Sequence, residues 1–243
     1  MERLLIVTGA SSGIGAGLVE AAGSVTVASV SRRPGPGIHL QADLADPASW
    51  TGVNEWIARL TAAKDWDWVG LVHCAATITP TGFAGEVDAD DYARNVVLNA
   101  AAPQVIGHGY LEAMADRRAD GCLCLITSGA ASTAYPGWSS YCAGKAAGDQ
   151  WCRTVGVEQE QRGGRIRVMS VAPGVVDTDM QTQLRAEPVE RFPGVARFHA
   201  LQDGGRLQDP VDVGRRLWEL VNRTDLANGA VLDLRRIDPS TTG

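Results

Sequence analysis

Seven short runs rich in β-branched and apolar residues punctuate the 243-residue chain, at Leu4–Thr8, Val25–Ser31, Ile38–Ala42, Trp68–Cys74, Cys122–Thr127, Ile166–Val171 and Ala230–Leu234. Helix-length segments separate most of them, at Gly13–Ala22, Pro47–Ala62, Ala89–Asp116, Ser139–Arg162 and Pro210–Val221. A strand left through a helix pairs parallel with the next strand, and a parallel sheet needs cover on both faces. The alternation therefore predicts an α/β fold, a doubly wound parallel sheet with helices on both faces. With 45% apolar residues there is material for one sizeable core, and residues 1–243 are read as a single domain.

Two stretches resist this pattern. Only RRPGPG, residues 32–37, separates the second run from the third, whereas a parallel crossover usually takes a dozen or more residues. Prolines and glycines at that density exclude a helix, so either a tight loop replaces it or the third strand is short and distorted. The second stretch, at about 181–209, carries Pro188, Pro193, Gly194, Gly204 and Gly205. It is expected to be a weakly regular substrate loop that closes as a lid.

Charge and cysteine usage narrow the function. Twenty-eight acidic side chains against 22 basic ones give a net charge of −6, which argues against a nucleic-acid partner, whose phosphates need a cationic surface. The five cysteines are odd in number and scattered, a usage that suits a reducing compartment better than a disulfide framework. No apolar run reaches the roughly 18 to 20 residues of a membrane helix, and the opening MERLLIVTGAS is too short in apolar residues for a signal peptide. A cytoplasmic location without a membrane partner is expected.

The first run ends in Thr8-Gly9-Ala10-Ser11-Ser12-Gly13-Ile14-Gly15, and a helix follows. Backbone amides and a helix N-terminus above a strand end suit a pyrophosphate, although the glycines alone also fit an ordinary strand-to-helix turn. The second run ends in Ser31-Arg32-Arg33, where an NAD site would present an acid to the ribose 2′-hydroxyl. Two guanidinium groups there suit a 2′-phosphate, or else form a solvated basic turn. Tyr141 and Lys145 are four apart in a helical segment and so share a face. An ammonium beside the phenol is expected to lower its pKa and make Tyr141 a general acid or base; a helix-surface pair is the plainer alternative. Ser128 follows the strand CLCLIT, at the carboxyl edge where open α/β sheets bind ligands. No GxSxG elbow surrounds it, which argues against a nucleophile.

Together, TGASSGIG, Asn99, Ser128, Tyr141-x-x-x-Lys145 and the PGVVDT segment resemble the short-chain dehydrogenase/reductase family, from Leu4 to about Leu234. Within it the resemblance is strongest to the sepiapterin-reductase-like branch that includes the (S)-benzoin-forming benzil reductases, through YPGWSSYCAGKAAG at 135–148 and APGVVDTDMQTQLR. The resemblance implies a Rossmann-type domain and an NADP(H)-dependent reductase of a small-molecule carbonyl compound. Tyr141 would donate the proton, Lys145 would hold the nicotinamide ribose, Ser128 would orient the carbonyl and Asn99 would hold a water in the proton relay. Gly9, Ser11, Ser12, Gly13, Ile14 and Gly15 would wrap the pyrophosphate, Ser31, Arg32 and Arg33 the 2′-phosphate, and Asp43 with Leu44 the adenine. Cys74, Ala75 and Ala76 would line the cofactor strand, and Pro173, Gly174, Val176 and Thr178 would seat the nicotinamide. Gly129 and Trp138 would join Ser128 and Tyr141 around the substrate.

The chain departs from the family in carrying His73-Cys74-Ala75-Ala76 where most members have Asn-Asn-Ala-Gly. His73 is expected to be a hydrogen-bonded structural residue, and Cys122, Cys124 and Cys142 to be thiols without a metal. A vicinal aromatic diketone is the expected substrate, with a pterin or a 3-ketoacyl group as alternatives; a non-catalytic NADP sensor is a reading of another class. Pterin-reducing members grip the pterin with an acid near the C-terminus, for which Asp233 and Asp238 are candidates. A homodimer through the helices at Ala89–Asp116 and Ser139–Arg162 is expected, because the ending LDLRRIDPSTTG lacks the Asp-Gly-Gly of many tetrameric members.

Overall fold

A computed structural model describes residues 1–237. Seven strands, β1 (Arg3–Thr8), β2 (Thr26–Ser31), β3 (Ile38–Gln41), β4 (Trp68–His73), β5 (Asp120–Ile126), β6 (Ile166–Ala172) and β7 (Ala230–Asp233), form one sheet in the order β3-β2-β1-β4-β5-β6-β7. Every neighbouring pair is parallel, as the alternation predicts, and each strand starts and ends within two residues of its expected run. The chain builds outward from β1 to β3, then returns to start its second half with β4 beside β1. That reversal opens a crevice at the carboxyl ends of β1 and β4.

Strand alternation divides the apolar residues between two layers. Leu4 and Ile6 of β1 and Val69 and Leu71 of β4 face α2 (Trp50–Ala62), α4 (Ala102–Met114) and α5 (Ser139–Gln161). Leu5, Val7 and Val72 face α1 (Gly13–Ala21) and α8 (Pro210–Asn222) on the other side. All seven of these strand side chains are at most 1% exposed, and burying each contributes about 1.5 to 3 kcal/mol. Helix α8 starts where the sequence signals a start: Asp209 accepts the Val211 and Asp212 amides at 2.7 and 3.1 Å, and Pro210 occupies the first helical position.

Both irregular stretches resolve physically. Residues 32–37 form a loop, and β3 is a four-residue edge strand that begins with Ile38 opposite Ala28. The chain has only to back up three residues, about 10 Å, which six residues span easily. Ser29 and Ser31 of β2 tie the loop down through hydroxyl bonds to the Pro36 and Arg33 carbonyls at 2.6 and 2.7 Å. The expectation of a weakly regular segment at 181–209 is corrected: it holds most of α6 (Asp179–Arg185) and all of α7 (Val195–Asp203). Pro188, Pro193 and Gly194 lie between these helices, and Gly204 and Gly205 follow the second, so the breakers end helices instead of interrupting them.

The helix expected over Ala89–Asp116 is also corrected, into α3 (Ala89–Val96), a π-helical turn at Val97–Ala101, and α4. Pro103 has no N–H for the carbonyl four residues back, that of Asn99, so α-helical bonding cannot run through this point.

Helices α1 and α8 meet at two glycines. A Cβ on Gly214 would lie 2.2 Å from the Gly17 carbonyl carbon, and one on Gly17 would lie 2.1 Å from the Pro210 carbonyl oxygen. Gly214→Ala should therefore lower the unfolding free energy by about 1 to 3 kcal/mol in urea denaturation. Gly52→Ala, on α2 with open space around the new methyl, should leave stability unchanged or raise it by up to about 1 kcal/mol. Equal effects would refute this close helix contact.

Candidate active site

The crevice holds a cleft of about 210 Å³. Its floor is the turn from β1 into α1. Gly9 has φ +71°, and a Cβ there would lie 2.8 Å from the Ala75 amide nitrogen, so both conformation and contact require glycine. Ser12, at the N-cap of α1, makes no side-chain cap; its hydroxyl instead accepts from Arg33 at 3.0 Å. The first-turn amides therefore stay free of a side-chain partner where Ser11, Gly13, Ile14 and Gly15 line the cleft.

One wall carries the residues expected around the adenosine. Ser31, Arg32, Arg33, Asp43 and Leu44 line the cleft, with Val30 and Ala42, which the sequence reading missed. The Asp43 carboxylate is already engaged, by the Ala45 amide at 3.0 Å and by the Arg94 guanidinium. Burial raises its pKa, but these partners outweigh burial and hold it below the usual value. Cys74, Ala75 and Ala76 line the side of β4. The Cys74 and Ala75 amides donate to the Thr8 carbonyl and hydroxyl at 3.1 and 3.3 Å, and burial pushes the Cys74 thiol up to about 12.

Opposite, Thr178 lines the cleft at the start of α6, together with Asp179 and Met180. Pro173, Gly174 and Val176 are not among its lining residues. They form the preceding turn, held by Gln208, whose amide group donates to the Pro173 carbonyl at 2.9 Å and whose backbone pairs beside Val176.

Helix α5 brings Tyr141 and Lys145 to the carboxyl edge one turn apart. Lys145 Nζ lies 5.7 Å from the Tyr141 ring centre and donates to the Ile126 carbonyl at 2.9 Å. Ser128, just beyond β5, lies close enough to the Tyr141 hydroxyl to lower its pKa, while its Oγ accepts from the Ala130 amide at 3.1 Å. The expected lowering of the Tyr141 pKa by Lys145 is not found. Burial pushes Tyr141 up to about 12 against the opposing effect of Ser128, because the phenolate loses more hydration than its neighbours return. Burial likewise brings Lys145 down to about 8, opposed by Cys74 and Asp149.

Asn99 sits in the π turn with its side chain fully used. Nδ2 donates to the Thr77 carbonyl at 2.8 Å and to Asn95 Oδ1 at 2.9 Å, and Oδ1 accepts the Thr77 amide at 3.2 Å. Its backbone carbonyl meets no α-helical N–H, because the residue four ahead is Pro103. Asn95 and Asp149 were missed in the sequence; Asp149 is 7% exposed and accepts from Ser170 at 2.5 Å. The signal was the four-residue spacing, Asn95 to Asn99 and Lys145 to Asp149, which repeats one helix face.

Trp138 is 5% exposed. Its indole packs on Tyr141 and on Phe192 with ring centres 4.9 and 4.6 Å apart, and on Phe198 at 5.9 Å. It thus lies beneath α6 and α7, between the tyrosine and the segment expected to close. Gly129 opens the 3-10 turn after Ser128, near the Arg235 guanidinium.

His73 differs from expectation. It is 4% exposed and neither ring nitrogen makes a hydrogen bond of normal geometry; the Ala75 backbone lies close enough to oppose the fall of its pKa but not to make it the fully hydrogen-bonded residue anticipated, and each unmade bond at a buried polar atom costs about 1 to 3 kcal/mol. Burial and then the Lys145 ammonium bring its pKa down to about 3. Cys122 and Cys124 share the face toward α1 and α8, and among the described residues no group of three His, Cys, Asp or Glu side chains could hold a metal ion. No helix among them is long and apolar enough to cross a membrane.

Residues 3–189 match the short chain dehydrogenase family. A benzil reductase ((S)-benzoin forming) of Bacillus subtilis (strain 168) is 34% identical over 167 residues, covering 69% of this chain and 68% of its own length. A protein of the same name from Bacillus cereus is 28% identical over 251 residues, covering 97% and 99%. A sepiapterin reductase of Meriones unguiculatus is 34% identical over 109 residues, 44% of this chain and 39% of its own. The crystal structure of the YIR035C short chain dehydrogenase/reductase from Saccharomyces cerevisiae superposes with a TM-score of 0.82 at 21% identity, covering 98% of this chain and 97% of that one, and so has the same fold. With a family match over most of its length and the parallel sheet that goes with it, the chain belongs to the short-chain dehydrogenase/reductase family and is an oxidoreductase.

Proposed function

We propose that the protein is an NADPH-dependent carbonyl reductase acting on an aromatic vicinal diketone such as benzil. The observation that carries this reading is the pair of neighbouring hydroxyls, Ser128 and Tyr141, at the carboxyl edge of the sheet beside the cleft. With its pKa at about 12, Tyr141 keeps its proton near neutrality and acts as the acid that reduction of a ketone needs. Ser128 orients the carbonyl oxygen toward the tyrosine, and Lys145, one turn along α5, adds positive charge on the same side. The Asn99 carbonyl holds a water of the proton relay, since its side chain is already committed.

The cleft suits a dinucleotide: uncapped amides of α1, a glycine floor that a Cβ would fill, and two arginines at the end of β2. When bound, that cofactor supplies the hydride. Gly13, Ile14 and Gly15 would hold its pyrophosphate. Arg32 and Arg33, with no acid at the end of β2, favour the 2′-phosphate of NADPH over the free hydroxyl of NADH. The aromatic cluster under α6 and α7 gives an apolar, water-excluding surface, and the benzil reductase names of two relatives support the diketone class. A pterin is less favoured, because the Asp233 carboxylate is occupied by Arg235 at 2.5 Å; Asp238 lies outside the described residues.

The chain works as one domain and pairs into a homodimer through α3, α4 and α5, whose outer faces carry Val96 and Val157 at 39% and 51% exposure. Five free thiols suit the cytoplasm.

NADPH oxidation with benzil tests the reading. Tyr141→Phe keeps the ring against Trp138 and removes only the proton donor, so kcat should fall by about 10² to 10⁴; turnover near wild type would refute the acid. Arg32→Ala with Arg33→Ala should raise the KM for NADPH by about tenfold or more, the effect of losing charge-assisted bonds, with NADH unaffected. Equal use of both cofactors by the wild type would overturn the 2′-phosphate assignment.

A further inference from the structure

Alternation along β4 places His73 on the same sheet face as Val69 and Leu71, the face covered by α4 and α5. A small cavity opens there beside Lys145, lined among others by His73, Asn99, Pro103, Lys145 and Ser170. Its volume is about 10 Å³, close to what a single water requires. The polar groups around it are complementary. Lys145 has three ammonium protons, of which one is given to the Ile126 carbonyl. The Asn99 carbonyl lacks its α-helical donor because of Pro103. Ser170 can only accept here, since its proton goes to Asp149. The buried imidazole, with neither nitrogen in a hydrogen bond of normal geometry and only the Ala75 backbone close enough to act on its pKa, offers one donor and one acceptor when neutral.

The relay water assigned above to the Asn99 carbonyl fits this cavity, and we propose that His73 is a positioning residue that fixes it beside the Lys145 ammonium. The proposal rests on the reading of Tyr141 as acid with Lys145 beside it, and it gives the histidine in that position a specific task. A hydrogen-bonded water replaces part of the hydration that Lys145 loses on burial, so the lysine stays charged further into alkaline pH. The low pKa of the imidazole keeps it from adding a second positive charge. Three other titratable groups lie near Lys145: Cys74 just after β4, packed on the opposite face of the sheet, and Tyr141 and Asp149 from α5. The neighbouring strands and the residue after β5 contribute Leu125, Ile126, Thr127 and Ser170, none of which titrates in this range.

The test compares wild type, His73→Leu, His73→Gln and Tyr141→Phe in NADPH-driven benzil reduction across pH 6 to 10. His73→Leu removes both polar atoms at similar volume, and the alkaline limb of kcat should move down by about one pH unit, the tenfold change expected on losing roughly one hydrogen bond to the ammonium. His73→Gln, which still offers a donor and an acceptor, should restore most of that shift. Superimposable profiles for wild type and His73→Leu would overturn the water site while leaving the Tyr141 reading intact; an active Tyr141→Phe would sink the reading itself.

Urea denaturation gives a readout independent of turnover. The unfolded imidazole titrates near 6.5 and the native one at about 3, so between these values the unfolded state binds more protons and stability falls as pH is lowered. His73→Gln should lose that part of the slope. A slope identical in wild type and variant would mean that His73 is not held neutral at this site, and would overturn the proposal even if His73→Leu fails to fold.

Discussion

The parallel pairing of β1 with β4, from Arg3 opposite Trp68 to Thr8 opposite His73, is the constraint on which the rest of the molecule depends. It joins the two halves of the sheet at the point where the chain reverses direction, and it sets the turn after β1 against the residues that follow β4. Because the strands run in register to their ends, the Cys74 amide reaches the Thr8 carbonyl, and Gly9 is pressed so close to Ala75 that no side chain fits. The same pairing brings His73, the last residue of β4, to the layer occupied by Lys145. Cleft and polar cavity are therefore two consequences of one register, lying on opposite faces of neighbouring residues.

Most of the sheet was legible because each strand carries a compact apolar run bounded by polar or glycine residues, and a parallel sheet buried on both faces leaves little else for such runs to be. The glycine turn, the arginines of β2 and the Tyr141–Lys145 spacing were legible for a similar reason: local geometry fixes where those groups point. What escaped was decided by neighbours distant in sequence. Short helices α6 and α7 draw their apolar contacts from Trp138 and Tyr135, which no local periodicity announces. The interruption at Val97–Ala101 follows from a proline that a generic helix pattern absorbs without notice. The direction of the Tyr141 shift was misjudged because spacing reveals the ammonium nearby but not the burial that outweighs it.

Burial governs the protonation states throughout the site, and its sign depends on the group. It holds the Tyr141 phenol and the Cys74 thiol protonated while pushing the Lys145 and His73 nitrogens toward their neutral forms. An active-site lysine in such surroundings needs compensation, and the compensation is distributed: the Ile126 carbonyl by direct bond and Asp149 at a distance. Asp149 is itself held by Ser170, so strand β6, which contributes no reacting group, supports the charge on α5.

Trp138 connects this electrostatic layer to the segment above it. Its ring lies against Tyr141 on one side and against Phe192 and Phe198 on the other, and Tyr135 extends the cluster to Arg197, whose guanidinium donates to the Tyr135 hydroxyl at 2.7 Å. Displacing α7 would therefore uncover apolar surface directly beside Tyr141, a cost that grows with the area exposed. The position of these helices and the dryness of the tyrosine are coupled by packing alone. Since dryness is what keeps Tyr141 protonated, the covering segment sets the protonation state of the proposed acid as well as walling it in.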